Sequence, residues 1–509
     1  MKTAVCLVVK NEDTEIVYWI AWYKALGFDS FIIYDDFSDD ATEKVILSLR
    51  RNIDIRYMRN VNDRSVHDVR QIGAYNDAVS RYGAEFDWIA LFDADEYLDL
   101  YGKDIKTWLS EHSNASLVAF NWCCVGTNGY VSRPSGCPVF AYTRHGADNL
   151  FWNRHTKVIF RPKDLAGPII QVHNVPVNGL SVASDGAPVQ WDNEIGGLAA
   201  PPPGWEGGRL FHYQSRSLEH YVRRDRHLED RRRSENDPLQ VVTKSADYNA
   251  IPYTVAENYR QNYLRWLTSI IATQTRQIAA DFRACPGQTL EGLKLLLEPD
   301  NVPVCRTASA PFPTQPGIAA SSPVPGSQSF VIFHLTNYFG QKLGKKHGML
   351  TVTEPDAAPL TGLYIFGSPV IHLFTPDGES IMIGDDPRLS SVITWTVWSN
   401  TNGTISLSHP ATERFLSFAP DGSCTSRKMR PLEWEQYTIQ PLPPASCPEH
   451  IRNAAAFLAR TDSLTSLHHA SYQNDHHDRL FLNVIASLSV VERNVLRIVT
   501  GDILKEHLL

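Results

Sequence analysis

An apolar run that stops abruptly in a cluster of carboxylates is the feature that most restricts this chain. Trp88-Ile89-Ala90-Leu91-Phe92 has the length and composition of a strand buried on both faces, and Asp93-Ala94-Asp95-Glu96 follows at once. The arrangement occurs twice earlier. Residues 4–9 end in Lys10-Asn11-Glu12-Asp13, and residues 31–34 end in Asp35-Asp36-Phe37-Ser38-Asp39-Asp40. Between those two runs Ile16, Trp19, Ile20 and Tyr23 recur at helical spacing, and Gly27 stops the helix. Residues 53–58 alternate as a further strand, and 66–81 predict a helix before Trp88. Alternating elements of this kind predict an α/β domain with a mostly parallel, Rossmann-like sheet. Ligands of such sheets bind beyond the carboxyl ends of the strands, so all three polar clusters are expected on one edge.

The clusters suggest a chemistry. No glycine-rich loop follows the first strand, which leaves neither a dinucleotide fingerprint nor a P-loop. Instead the clusters offer acceptors for a base and a ribose, while Asp93 and Asp95, two apart at a strand end, point the same way toward one divalent cation. Taken singly, each cluster also reads as a helix cap or a solvated turn. Their joint placement at three strand ends favours a site. A net charge of -8 argues against a nucleic-acid binder driven by phosphate contacts. The eight cysteines form no CxxC pair, which suits reduced thiols in a cytosol-like compartment. With no uninterrupted apolar run of ~18 residues, the sequence predicts no transmembrane segment and leaves only peripheral contact with a membrane open.

Val8-Val9-Lys10-Asn11-Glu12, the stretch from Trp19 to Gly27, Phe31 through Asp40, and above all Asp93-Ala94-Asp95-Glu96-Tyr97-Leu98 resemble GT-A fold glycosyltransferases, more narrowly their family-92 and family-2-like group. The likeness continues in Phe120-Asn121-Trp122, in Lys157 to Pro162, in His173 and in His212 to Ser217, covering roughly residues 1–235. It implies a nucleotide-sugar donor, a glycan or glycoconjugate acceptor and a divalent cation, Mn²⁺ or Mg²⁺. Under that resemblance Asp95 is a direct metal ligand, Asp93 serves the ribose or a metal-bound water, and His212 supplies a further ligand. Lys10, Asn11, Glu12, Asp36 and Asp39 lie on the donor side near the base and ribose. Arg216 and Arg224, from a mixed-charge stretch that also reads as a solvated helix, are candidates to face the diphosphate. Attack by an acceptor hydroxyl needs a general base. Glu96, Asp185, Asp192 and Glu194 are candidates among which the sequence does not choose, and the resemblance leans toward inversion.

The expected organisation is a GT-A-like domain with a helical extension over 1–298, a Pro-rich linker over 299–328, an all-β module over 329–444 and a helical region over 445–509. Repeating short-stranded units of about forty residues give the module its resemblance to a fascin-like β-trefoil. Near the chain's end Leu480, Phe481, Val484, Ile485, Leu488, Val491 and Leu496 form a helical apolar stripe. His468-His469 and His476-His477 read as a solvated loop rather than a metal site. Two other functions compete with the transferase: a metal-dependent phosphatase using an Asp-x-Asp pair, and a non-catalytic carbohydrate-binding protein.

Overall fold

The strands of the first unit are β1 (Thr3–Val9), β2 (Ser30–Asp35), β3 (Asp54–Arg59), β4 (Trp88–Leu91), β5 (Glu96–Asp99), β6 (Ala115–Cys124), β7 (Arg144–His145), β8 (Thr156–Phe160), β9 (Leu180–Ala183), β10 (Arg209–His212) and β11 (Ile251–Pro252). The computed structural model describes residues 1–60, 67–134, 136–192, 195–220, 247–297, 330–353, 358–366, 368, 370–379, 381–383, 386–390, 392–410, 413–461, 463–469, 475–501 and 503. Its main sheet runs β3-β2-β1-β4-β8-β6-β10-β5, with β9 beside β6. β8 is antiparallel to both β4 and β6, and β5 is antiparallel to β10, whereas the remaining pairs are parallel. The sheet is therefore mostly parallel, as the alternating pattern predicts. After β3 the chain returns to the far side of β1 to lay down β4, so the strand order reverses between β1 and β4. A crevice opens beyond the strand ends at such a reversal.

The helices of this unit include α1 (Ile16–Ala25), α2 (Thr42–Leu49), α3 (His67–Tyr82), α4 (Ile105–Glu111) and α5 (Pro138–Ala141). The spacing in α1 predicts an amphipathic helix, but nine of its ten residues are buried. Its second face is covered by α6 (Glu257–Ala284), whose Tyr259 and Tyr263 rings lie 5.6 and 6.4 Å from Trp22. The chain divides into two compact units after Leu267, within α6.

Among the described residues the second unit has the strands β12 (Phe330–Asn337), β13 (Leu343–Lys346), β14 (Met349–Val352), β15 (Thr361–Ile365), β16 (Val370–Phe374), β17 (Ile381–Ile383), β18 (Asp386–Ser390), β19 (Val392–Ser399), β20 (Ile405–Ser408), β21 (Phe415–Phe418), β22 (Cys424–Lys428) and β23 (Gln436–Pro441). Antiparallel pairing takes β12 to β15, β16, β19, β20, β23 and back to β12, so six strands close a ring. The strands left over pair as three hairpins, β13–β14, β17–β18 and β21–β22. Phe333, Leu373, Trp395, Leu407 and Phe418 are among the residues filling this barrel-like module. A second apolar cluster joins Ile332, Ile365 and Phe374 to α6 and to helices α7 (Gly287–Leu297), α8 (Glu449–Leu458), α9 (Leu464–His469), α10 (Asp475–Ser487) and α11 (Val490–Thr500). Most of the stripe expected near the chain's end is part of it. His468 Nε2 lies 2.9 Å from Cys285 O and its ring packs on Phe282, so this histidine belongs to the helical core. The expected linker and the side chains of His476 and His477 lie outside the described residues. No helix among the described residues is long and apolar enough to cross a membrane.

Candidate active site at the carboxyl ends of β1, β2 and β4

The ends of β1 and β2 are locked together by backbone and short polar side chains. Asp36 N donates to Val9 O at 2.7 Å, Asn11 N donates to Ser38 Oγ at 3.0 Å, and Asn11 Oδ1 accepts from Asp39 N at 2.9 Å. Asn11 and Phe37 hold φ of 54° and 63°, a left-handed backbone that costs a non-glycine residue roughly 1–2 kcal/mol. Strain of this kind collects where neighbouring structure over-determines a loop. Lys10 and Asp39 are exposed on this edge. Asp36 is fully buried, and its carboxylate accepts from Arg70 at 2.7 and 2.8 Å, from Asn60 at 2.9 Å, and lies 3.0 Å from His67 Nδ1. Burial pushes this carboxyl up, but the hydrogen bonds from His67, Arg70 and Asn60 outweigh it and hold the group well below the usual carboxylate range.

The Asp93–Glu96 turn is clamped from below by α1. Trp19 Nε1 donates to the carbonyls of Asp93 and Glu96 at 3.0 and 3.1 Å, Tyr23 OH donates to Glu96 O at 3.0 Å, and Trp22 Nε1 donates to Leu98 O at 2.9 Å. In the sequence Trp19 and Tyr23 register only as an apolar stripe. Asp93 Oδ1 accepts from Gln71 at 2.7 Å, and its Oδ2 lies 2.7 Å from Lys157 Nζ. Lys157 sits on β8 with no exposed surface. Burial opposes its charge, yet Asp93 and Glu96 beside it raise its pKa. For Asp93 the balance is the mirror image: burial pushes it up, and Lys157 brings it below its ordinary value.

Glu96 goes the other way, pushed well up by burial. Its Oε1 accepts from Trp122 Nε1 at 2.7 Å and its Oε2 from Asp93 N at 2.8 Å. The carboxyl is thus anchored inside the turn.

Asp95 and His212 come together from distant parts of the first unit's sequence. Asp95 Oδ2 lies 3.8 Å from His212 Nε2, both side chains are buried, and Tyr213 N donates to Asp95 O at 2.9 Å. β10 carries His212 into the sheet between β6 and β5. Its approach needs glycine: a Cβ on Gly207 would fall 1.6 Å from Ser184 O. The His212 ring packs 3.9 Å from Trp122, and His155 and His173 pack on the same indole at 4.9 and 5.2 Å. His173 Nδ1 lies 2.9 Å from Thr156 O, and burial pushes its pKa down to about 3.

The other expected residues fall as follows. Arg216 is fully buried with φ of 44°; it donates to Glu12 at 2.9 Å and to Ala94 O at 3.2 Å. Arg216 and Glu12 therefore face each other and tie the end of β1 to the acidic turn. Asp185 is exposed in a turn, where it accepts from Ala187 N at 2.9 Å. Asp192 pairs with Arg154 at 2.6 Å, in a loop bridged to the start of β8 through His155 and Leu198. Glu194 and Arg224 lie outside the described residues. Gln71 and His155 have no place in the sequence reading. Lys157 did leave a signal, as a lone charge inside the apolar run that became β8.

A strand-order reversal edged by a buried carboxylate turn, an imidazole from a late strand and a lysine-compensated aspartate defines a GT-A-like α/β domain. Residues 2–178 match the model of glycosyltransferase family 92. A glycosyltransferase family 92 protein of Ricinus communis is 26% identical over 151 residues, which are 27% of this chain and 25% of that protein. The chain thus spans about a quarter of the length of the curated relative it matches. Among solved structures, Staphylococcus aureus TarS residues 1–349 aligns over 55% of this chain and 86% of its own, at 12% identity and a TM-score of 0.26. The same protein in complex with UDP-GlcNAc gives 15% identity, 53% and 66% coverage and a TM-score of 0.26. HddC from Yersinia pseudotuberculosis gives 13%, 36% and 91%, and 0.22.

Proposed function

We propose that the protein transfers a sugar from a nucleotide-sugar donor to a hydroxyl of a glycan acceptor, by inversion and with a divalent cation. The observation that carries this reading is the meeting of Asp95 and His212 beside the Asp93–Lys157 pair. A carboxylate oxygen and an imidazole nitrogen 3.8 Å apart can both reach one ion at ~2.1 Å. Among the described residues no three His, Cys, Asp or Glu side chains form a complete cage. The donor set fits a divalent cation, Mn²⁺ or Mg²⁺, which Asp95 and His212 would hold and which would supply charge stabilisation to the departing diphosphate. Asp93, held ionised by Lys157 with its side chain 31% exposed, is placed to accept from a ribose hydroxyl. Asn11, Asp39 and the Asp36–Arg70 pair bound the nucleobase side. Among the described base candidates we assign Asp192, because Glu96 is anchored in the turn and Asp185 caps a surface turn.

The β ring with its three hairpins is the strand plan of a β-trefoil, and we infer that architecture for the second unit. A panel of uridine and guanosine diphosphate sugars, screened by thermal shift and by donor turnover with and without Mn²⁺, tests the function. One donor should stabilise the protein and turn over in a Mn²⁺-dependent way, with turnover lost in Asp95→Asn. Cleavage of phosphate monoesters with no nucleotide-sugar turnover refutes it.

A further inference from the structure

Trp152 and Phe151 stand 50% and 47% exposed in the short turn before β8. They are not isolated. Trp152 stacks on His155 at 5.3 Å and 20°, and His155 stacks on Trp122 at 4.9 Å and 18°. Trp122 in turn holds Glu96 and packs against His212. Stacked rings therefore run from the rim through His155 to Trp122, and Trp122 meets the His212 ring at a tilt of 35°. Polar groups border the exposed end: Arg154 lies 5.5 Å over the Phe151 ring and binds Asp192 at 2.6 Å, and His155 Nδ1 is directed to Trp152 O at 3.2 Å.

We infer that Trp152, with Phe151 at its edge, is the stacking platform for a pyranose ring of the acceptor, fixing which hydroxyl is offered to the transfer site. This rests on the function proposed above. A sugar ring has one face of C–H groups suited to an aromatic plane and a rim of hydroxyls needing charged or amide partners. The rings with the Arg154–Asp192 pair beside them supply both kinds of contact. A lipid chain or an apolar peptide would match the rings but strand the ion pair. Trp152 connects to the acidic turn through His155 and Trp122, so a saccharide anchored on it would extend inward from the rim toward the transfer site, with its orientation set by the platform.

Lactose, N-acetyllactosamine, cellobiose and chitobiose serve as probes, with binding to the full chain followed by saturation-transfer NMR and by tryptophan fluorescence. At least one should bind the native protein, with contacts on its ring C–H protons. Trp152→Ala should weaken that disaccharide by about tenfold and Trp152→Phe by much less, while both variants melt within experimental error of the native protein. Equal binding by Trp152→Ala overturns the assignment, as does the absence of binding by all four. Phospholipid vesicles bound through Trp152, with no saccharide bound, overturn it as well. UDP with Mn²⁺, titrated into the same native sample, separates the failures. If UDP binds and the saccharides do not, only the platform falls; if UDP and every nucleotide sugar also fail to bind, the transferase reading falls with it.

Discussion

The two units bury polar groups in different ways. The α/β unit encloses Glu12, Asp36, Asp95, Glu96, Lys157 and Arg216 along one sheet edge, whereas the ring strands of the second unit enclose hydroxyls, an amide and an imidazole, among them Thr394, Ser406, Ser408, Asn337 and His372, and Arg493 is a buried cation of its helices. The second unit's buried carboxylates, Glu435 and Glu492, accept from backbone N–H groups at the start of a short helix and of α11, so they act as caps. Removing an ion from water costs several kcal/mol, recovered only when partners and geometry are good. A fold that bears this cost repeatedly at one edge is maintaining charges for a purpose other than stability.

Four substitutions or titrations sharpen or break that contrast. Lys157→Met should have the largest effect, because it leaves Asp93 and Glu96 together in a buried site with no cation. Urea unfolding should report a loss of about 3–5 kcal/mol. A loss below about 1 kcal/mol would mean that water already screens the turn and that the contrast between the units is superficial. Asp95→Asn should lower donor turnover roughly 10²–10³-fold while leaving the unfolding midpoint unchanged or raised, since one of several crowded carboxylates is neutralised. Leu407→Ala in the barrel core should do the reverse, costing about 2–4 kcal/mol with turnover per folded molecule unaltered.

The smallest effect is a pH dependence shared by both units. Burial lowers His173 from 6.5 to about 3 and His372 from 6.5 to about 4. The unfolded chain therefore takes up protons below about pH 6.5 that the folded chain refuses. The stability these two neutral imidazoles support is complete above that pH and declines as pH falls toward the folded values. His173→Gln and His372→Gln should each flatten the acid limb of a plot of melting temperature against pH, and an unchanged slope in both would remove this point of likeness between the units.

Much of the first unit is legible in the sequence because buried parallel strands are written as uninterrupted apolar runs, and polar residues can follow only where such a run leaves the core. That logic locates β1, β2 and β4 and marks Asp93 and Asp95. It does not reveal partners. Glu12 and Arg216 are 204 positions apart, and nothing local in either says that they pair. Periodicity labels Trp19 and Tyr23 as apolar, although their polar tips hold the acidic turn, because an indole or phenol counts as greasy in any pattern while still carrying a donor. The same limit hides the antiparallel direction of β8, which depends on which strand it pairs with rather than on its composition. In the second unit the short strands are readable, but closure of the ring between β12 and β23 joins residues about a hundred apart and leaves no trace in either segment.

The late insertion of β10 has a practical consequence. The family-92 match stops at residue 178, and His212, Tyr213 and Arg216 come after it. β5 pairs with β10 at residues 209–212, so a fragment trimmed to the matched segment would leave the strand that begins with Glu96 without that neighbour and Asp95 without its imidazole. During synthesis, too, the ribosome must deliver some thirty further residues beyond that boundary before the pocket has its far wall, so expression trials and fragment libraries of related sequences are best cut well downstream of it.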